Sequence, residues 1–268
     1  MSYLHALILG IIQGLSEFLP ISSSGHLIIV PYLFGWNYQG LDFDVALHFG
    51  TFLAIIIYFW RDWILIISRA IKIDEKTKDD VVIDLPDNLF WVILVSSIPA
   101  ATIGYFFDST IEKSFRSPLL VATLLIIFAL ILLSADKFSK NLTKIKAIGY
   151  RKGMIIGAAQ AISLIPGVSR SGITTSAGLF LNLSRKDATR FSFLLATPAI
   201  FGAFLFTLKD YSVSTLSPEF FLAVVTSATT GFLAIKYLLA YLGKHSFLPF
   251  VIYRLVIAAI VAIVYFIR

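Results

Sequence analysis

The sequence predicts an all-α polytopic membrane protein. The expected form is an inverted-topology repeat with six transmembrane helices plus two re-entrant helical hairpins, in a single integral membrane domain over residues 1–268. Three observations predict it. Of the 268 residues, 58% are hydrophobic and 14% charged, with mean hydropathy +0.87, whereas soluble domains carry about 25% charged and about 45–50% apolar residues. The apolar runs are long and lack the alternation of an outer-membrane barrel. Two short apolar runs, one early and one in mid-chain, end in matching stretches of Pro, Gly, Ser and charge.

Residues 2–18 predict an apolar helix, too short to span before Pro20 breaks it. Ser22, Ser23 and Ser24 then offer N-caps for a short helix to about Phe34. Two half-length helices around a polar break predict a re-entrant hairpin, which a bilayer tolerates where protein or a wet cavity covers the break. Spans follow at about 43–60, 88–107 and 118–135. The charged segment 61–87 between the first two predicts a solvated loop with an interfacial helix at its start. The pattern then repeats: an apolar run at 152–164, a break at Pro166-Gly167, a short helix from about Ser171, and spans at about 188–208, 218–241 and 248–267.

An offset of 147 matches Gly10/Gly157, Gln13/Gln160, Ser16/Ser163, Ser22/Ser169, Ser24/Ser171 and Gly25/Gly172, six identities across sixteen positions. Each half, about 1–136 and 150–268, holds a hairpin and three spans, so the second half enters the bilayer inverted. With the N-terminal side outside, sixteen Lys and Arg fall on inside loops and four on outside loops. That bias fits positive-inside orientation with both termini outside. No cleaved signal peptide is expected, because the N-terminus lacks a basic region. The absence of cysteine excludes disulfides and thiolate metal sites. The net charge of +6 is spread over loops and points to no nucleic acid.

Polar groups at membrane depth default to function. Glu17 and Gln13, four apart, share a helix face, and can hold a divalent cation, position water or act as a base. Ser22, Ser23, Ser24 and Gly25 open a helix, where hydroxyls and free N–H groups cradle anions and glycine admits close backbone approach. His26 is a candidate nucleophile, or a base for Ser23. Arg170 in mid-membrane needs an anion, and its guanidinium fork matches phosphate; Ser169, Ser171, Gly172 and Thr174 flank it. A resting ion pair between Arg170 and Glu17 is compatible with that role. Asp42, Asp44 and His48 read as interfacial caps at the start of a span, His5 and His245 as interfacial, and Arg254 stays unassigned.

The stretches Gln13-Gly-Leu-Ser-Glu17-Phe-Leu-Pro-Ile-Ser-Ser-Ser-Gly-His26 and Pro166-Gly-Val-Ser-Arg170-Ser-Gly-Ile-Thr174 resemble the two signature motifs of the undecaprenyl-diphosphate phosphatases of the bacitracin-resistance type. The resemblance covers the whole chain in length, hydropathy and motif order. It implies hydrolysis of undecaprenyl diphosphate to the monophosphate carrier and inorganic phosphate, for reuse in wall synthesis, and resistance to bacitracin. It also implies dependence on a divalent cation, Mg2+ or Ca2+, and a site open to the outer side. Family roles carry to Glu17, Ser23, His26, Ser169, Arg170 and Thr174. The first motif of the family often has glutamate where this chain has Gln13, which weakens a two-residue cation site at Glu17 and Gln13. Partners expected are the lipid substrate and the bilayer, with a homodimer as an option and no nucleic acid. The nucleophile stays open between His26, Ser23 and water. The competing reading is a secondary transporter or lipid flippase with an anion site at the midplane, since broken helices in inverted repeats are also a transporter signature.

Overall fold

The structure is a computed structural model, and it describes residues 2–37, 41–72, 85–207 and 217–268. The charged run 74–80 and the side chains of Asp42, Lys113 and Lys209 lie outside the described residues. The chain is helical throughout, and among the described residues the sole β pairing is an isolated bridge between Thr143 and Leu183. The first half comprises α1 (Tyr3–Phe18), α2 (Ser23–Phe34), α3 (Leu41–Tyr58), α4 (Trp60–Ala70), α5 (Leu89–Ser114) and α6 (Pro118–Phe138). A single 3-10 turn, Ile145–Ala147, leads to α7 (Tyr150–Ile162), α8 (Arg170–Phe180), α9 (Arg185–Thr207), α10 (Pro218–Tyr241) and α11 (Leu248–Ile267).

Five of these helices, α5, α6, α9, α10 and α11, are long and apolar enough to cross a membrane. A sixth span forms if α3 is taken with α4, which bends away from it by 73°. The expected interfacial helix is therefore α4. Trp60, Ile64 and Ile67 are exposed along it while Asp62, Leu65 and Ile66 are buried, the division of a helix lying along a surface. The helix α5 runs seven residues beyond the expected end at 107. Its Pro99 does not end it, a tolerance common in membrane helices, where neighbours satisfy the freed carbonyl.

Packing crosses between the halves. Helix α1 lies against α10 and α7 against α5, so the first hairpin helix of each half packs on a span of the other. Lipid tails are as apolar as leucine, so such contacts need close backbone approach rather than hydrophobic drive. Two glycines supply it. A Cβ on Gly14 would sit 1.9 Å from Thr230 Oγ1, and one on Gly157 would sit 1.9 Å from the Ser96 carbonyl oxygen. At the end opposite the chain termini, two ion pairs tie the bundle. Arg185 binds Asp136, whose second oxygen accepts from Phe247 N at 3.0 Å, and Arg190 binds Asp62 at 2.6 Å. Asp136 and Asp62 are buried, and burying a carboxylate without a partner costs several kcal/mol, so each is paired.

Candidate active site

The two polar breaks share one local geometry. Ser22 has φ 76, ψ 95 and Ser169 has φ 75, ψ 108. Each serine hydroxyl accepts from the glycine N–H three residues on, Gly25 at 3.3 Å and Gly172 at 3.2 Å. Positive φ at a residue with a Cβ costs of order 1–3 kcal/mol and persists only where the surroundings enforce it. Here Arg254 of α11 helps enforce it. Its buried guanidinium donates to the carbonyls of Leu125, Pro20, Gly167 and Val168, joining α6 to both breaks. Ser171 Oγ adds a bond to Leu19 O at 3.1 Å. Gly25 was expected to let backbone approach a ligand. What approaches it is the other hairpin, since a Cβ there would lie 3.4 Å from Gly167 Cα.

Clasped in this way, the breaks deliver three groups to one place. Arg170 Nη2 donates to Glu17 Oε1. Ser23 Oγ donates to Glu17 Oε2 at 2.5 Å, and Gln13 Nε2 donates to the same oxygen at 2.9 Å. The expected convergence of the first carboxylate and the second-half arginine is therefore present in the resting protein as an ion pair. Arg170 Nη1 is buried and has no protein acceptor among the described residues. A cavity of about 360 Å³ opens over the group. Glu17, Ser23, Ser24, Ser169 and Arg170 line its polar side, and Leu27, Ile28, Ile111, Leu164 and Phe204 its apolar side. At the offset of 147, Arg170 stands where the first half has Ser23, and Leu164 where it has Glu17. Two breaks of matching cap geometry thus carry two different chemistries to one pocket.

Other expected residues go elsewhere. His26 does not line this cavity. Its Nδ1 lies 2.7 Å from Ser22 O, an acceptor only, so Nδ1 carries the hydrogen; Nε2 then accepts from Tyr253 OH at 2.7 Å. With both ring nitrogens engaged, His26 faces a second, apolar cavity beside α11. Ser22 Oγ is spent on its cap, Ser171 on Leu19, and Thr174 on Arg170 O and Ser192 at 2.7 and 2.6 Å. Gly172 abuts Arg254, whose Nη1 would lie 3.2 Å from a Cβ there. These residues shape the breaks rather than line the cavity.

The imidazole that does line the cavity is His48 of α3, expected only as an interfacial cap. Its Nδ1 lies 3.0 Å from Gln13 Nε2 and 3.6 Å from Glu17 Oε2. Asp44, one turn earlier, pairs with Arg116 at 3.7 Å, and both line the same cavity. A signal existed. Asp44, His48 and Thr51 are spaced i, i+4, i+7, a polar stripe on an otherwise apolar span.

The donor set does not fit a resident cation held by Glu17 and Gln13. Gln13 turns its NH2, not its carbonyl, to the carboxylate, and both Glu17 oxygens already accept from protein donors. Among the described residues no three His, Asp or Glu side chains converge, and hard cations need several oxygen ligands.

The model of one protein family, bacitracin resistance protein BacA, matches residues 6–260. The chain belongs to the BacA family. Similar proteins named undecaprenyl-diphosphatase include one from Pelotomaculum thermopropionicum, 46% identical over 256 residues, covering 96% of this chain and 94% of the relative. Others come from Moorella thermoacetica at 44% and Desulforudis audaxviator at 42%, both over 268 residues and the full length of both chains. As a BacA-family protein the chain is a multi-pass membrane protein, and both of its polar breaks fall inside the matched region.

Proposed function

We propose that this chain hydrolyses undecaprenyl diphosphate to undecaprenyl phosphate and inorganic phosphate, recycling the lipid carrier for wall synthesis and conferring bacitracin resistance. The observation that carries the reading is the Ser23 hydroxyl bonded to one oxygen of Glu17 while Arg170 holds the other. A transport site needs an anion-binding arginine but no serine poised on a carboxylate. The names of the relatives support the same substrate.

In the proposed mechanism the terminal phosphate enters the cavity and takes over Arg170, whose free Nη1 and displaced Nη2 bind two phosphate oxygens. Glu17, released from the guanidinium, accepts the Ser23 proton. Ser23 Oγ bonds to the terminal phosphorus as the bridging P–O bond breaks, and undecaprenyl phosphate leaves carrying the bridging oxygen and, on it, the proton that Glu17 had taken, which restores the carboxylate. Arg170 stabilises the charge developing on the transferred phosphoryl group. Water then attacks the phosphoserine, gives a proton to Glu17 and releases inorganic phosphate, and the Glu17 proton returns to Ser23. His26 acts as a positioning residue that holds the Ser22 turn. The apolar wall of Leu27, Ile28, Ile111, Leu164 and Phe204 suits the prenyl chain. Dependence on Mg2+ or Ca2+ belongs, on this reading, to the substrate, since a diphosphate brings much of the coordination of such an ion itself.

We also read the halves as inverted repeats in a cytoplasmic membrane, with both termini and the cavity mouth outside. Support comes from the matched serine caps, the loop-charge bias, and the presence in the cavity lining of Arg116 and Asp44, which stand at or next to helix ends placed on the outer side. Every residue of the site comes from one chain, so the reading requires no second copy. The test is phosphate release from a prenyl diphosphate in detergent by purified wild type, Glu17→Gln, Ser23→Ala and Arg170→Ala. Loss of release in all three variants is expected. Undiminished release in all three would overturn the reading.

A further inference from the structure

We propose that His48 is a substrate-contacting residue whose Nε2–H donates to an oxygen of the bound phosphate, and that Gln13 fixes the tautomer that makes this donor available. The inference rests on the phosphatase reading above. It starts from the orientation of one amide. Gln13 Nε2 lies 2.9 Å from Glu17 Oε2 and 3.0 Å from His48 Nδ1. Turned over, the amide would bring its carbonyl oxygen against the carboxylate, two acceptors with no hydrogen between them. The NH2 group therefore gives one hydrogen to Glu17 and the other to His48. An imidazole nitrogen that accepts carries no hydrogen, so the neutral ring of His48 bears its proton on Nε2.

That nitrogen has no protein acceptor among the described residues, while the His48 side chain is 35% exposed and lines the cavity with Glu17, Ser23 and Arg170. Nδ1 is turned inward to α1, so the exposed edge of the ring is the Nε2 edge. A bound phosphate brings acceptor oxygens to a cavity wall whose other donors are Arg116, Arg170 and serine hydroxyls. One more donor from a third helix, α3, adds an oxygen contact from a direction that neither break supplies. The network Arg170–Glu17–Gln13–His48 also gives Gln13 a role that needs no cation. Its amide serves the base and the imidazole at once, which a carboxylate in that position would not do.

The test sets two substitutions against each other. His48→Gln places an amide N–H close to the position of Nε2. His48→Asn keeps an acceptor where Nδ1 stands, and so keeps Gln13 in place, but is too short to reach the phosphate. Phosphate release from a prenyl diphosphate is measured with both variants purified as monodisperse, cooperatively unfolding protein. The expected kcat/KM of His48→Gln is within about threefold of wild type, and that of His48→Asn lower by about 10- to 100-fold, the range for one hydrogen bond to a charged group. The reverse order, wild-type rates in both variants, or equal losses in both would overturn the inference. Wild-type protein that releases no phosphate would instead sink the phosphatase reading on which it rests.

Discussion

Arg254→Met removes the clasp that holds both breaks at membrane depth. The wild-type side chain is 0% exposed and gives four hydrogen bonds, at 3.0 to 3.3 Å, to carbonyls of Leu125, Pro20, Gly167 and Val168. Methionine occupies similar length without a donor, so the change deletes bonds with little change of packing. Polar contacts between membrane helices average about 0.6 kcal/mol, and bonds from charged donors in soluble proteins reach about 1.5–3 kcal/mol. Removing the buried charge returns part of that loss, because its desolvation penalty disappears as well. The carbonyls of Pro20, Gly167 and Val168 lie outside the regular helices and stay without those bonds, so a net loss of about 2–4 kcal/mol remains. For a chain of this size that lowers the unfolding midpoint by roughly 5–15 °C. Turnover should fall further than stability, since Ser22 and Ser169 are free to leave their positive-φ turns and carry Ser23 and Arg170 apart. Thermal unfolding in detergent, paired with phosphate release at a temperature where the variant is folded, reads both effects. An unchanged midpoint together with unchanged turnover would refute the clasp.

Further expectations follow from the same contacts. Ser23→Ala removes the group bonded to Glu17, and its kcat should fall by at least about 10³-fold with little change in unfolding temperature; a small loss in phosphate-release kinetics would exclude Ser23 as nucleophile. His26→Ala frees the Ser22 carbonyl and the Tyr253 hydroxyl, so stability and kcat should fall together, with Tyr253→Phe milder in both. Full stability with abolished turnover in His26→Ala would instead argue for direct chemistry at that ring. Gly157→Leu drives a side chain into the Ser96 carbonyl and should prevent recovery of folded protein, as judged by size-exclusion profile, whereas Gly104→Leu, whose Cβ would meet nothing nearer than 3.9 Å, should be tolerated.

The helices and the two breaks were legible in the sequence because each is fixed locally. Pro20 and Pro166-Gly167 stop apolar runs, and a serine restarts each helix as its N-cap. The pairing of Glu17 with Arg170 was legible for a different reason, since lone charges at depth need partners. What could not be read was direction. Ser23 and His26 are three residues apart on one short helix, so their side chains diverge by about 60°, enough for α11 to capture the imidazole while the hydroxyl meets Glu17. His48 sits 31 residues beyond Glu17 near the start of a span, where interfacial capping is the ordinary role of such residues; only the packing of α3 beside α1 brings it in. Among the described residues Arg254 has no carboxylate partner because its partners are carbonyls, and main-chain oxygens freed by a broken helix leave no mark in a list of side chains.

In the proposed reaction Ser23, with Glu17 as its base, carries the phosphoryl group. Rapid acid quench of the enzyme turning over a prenyl diphosphate labelled in its terminal phosphate, followed by peptide mapping, tests it most directly. An acid-stable phosphoserine at Ser23, absent from Ser23→Ala, is the expected result. An acid-labile label on His26, or on His48, would contradict it.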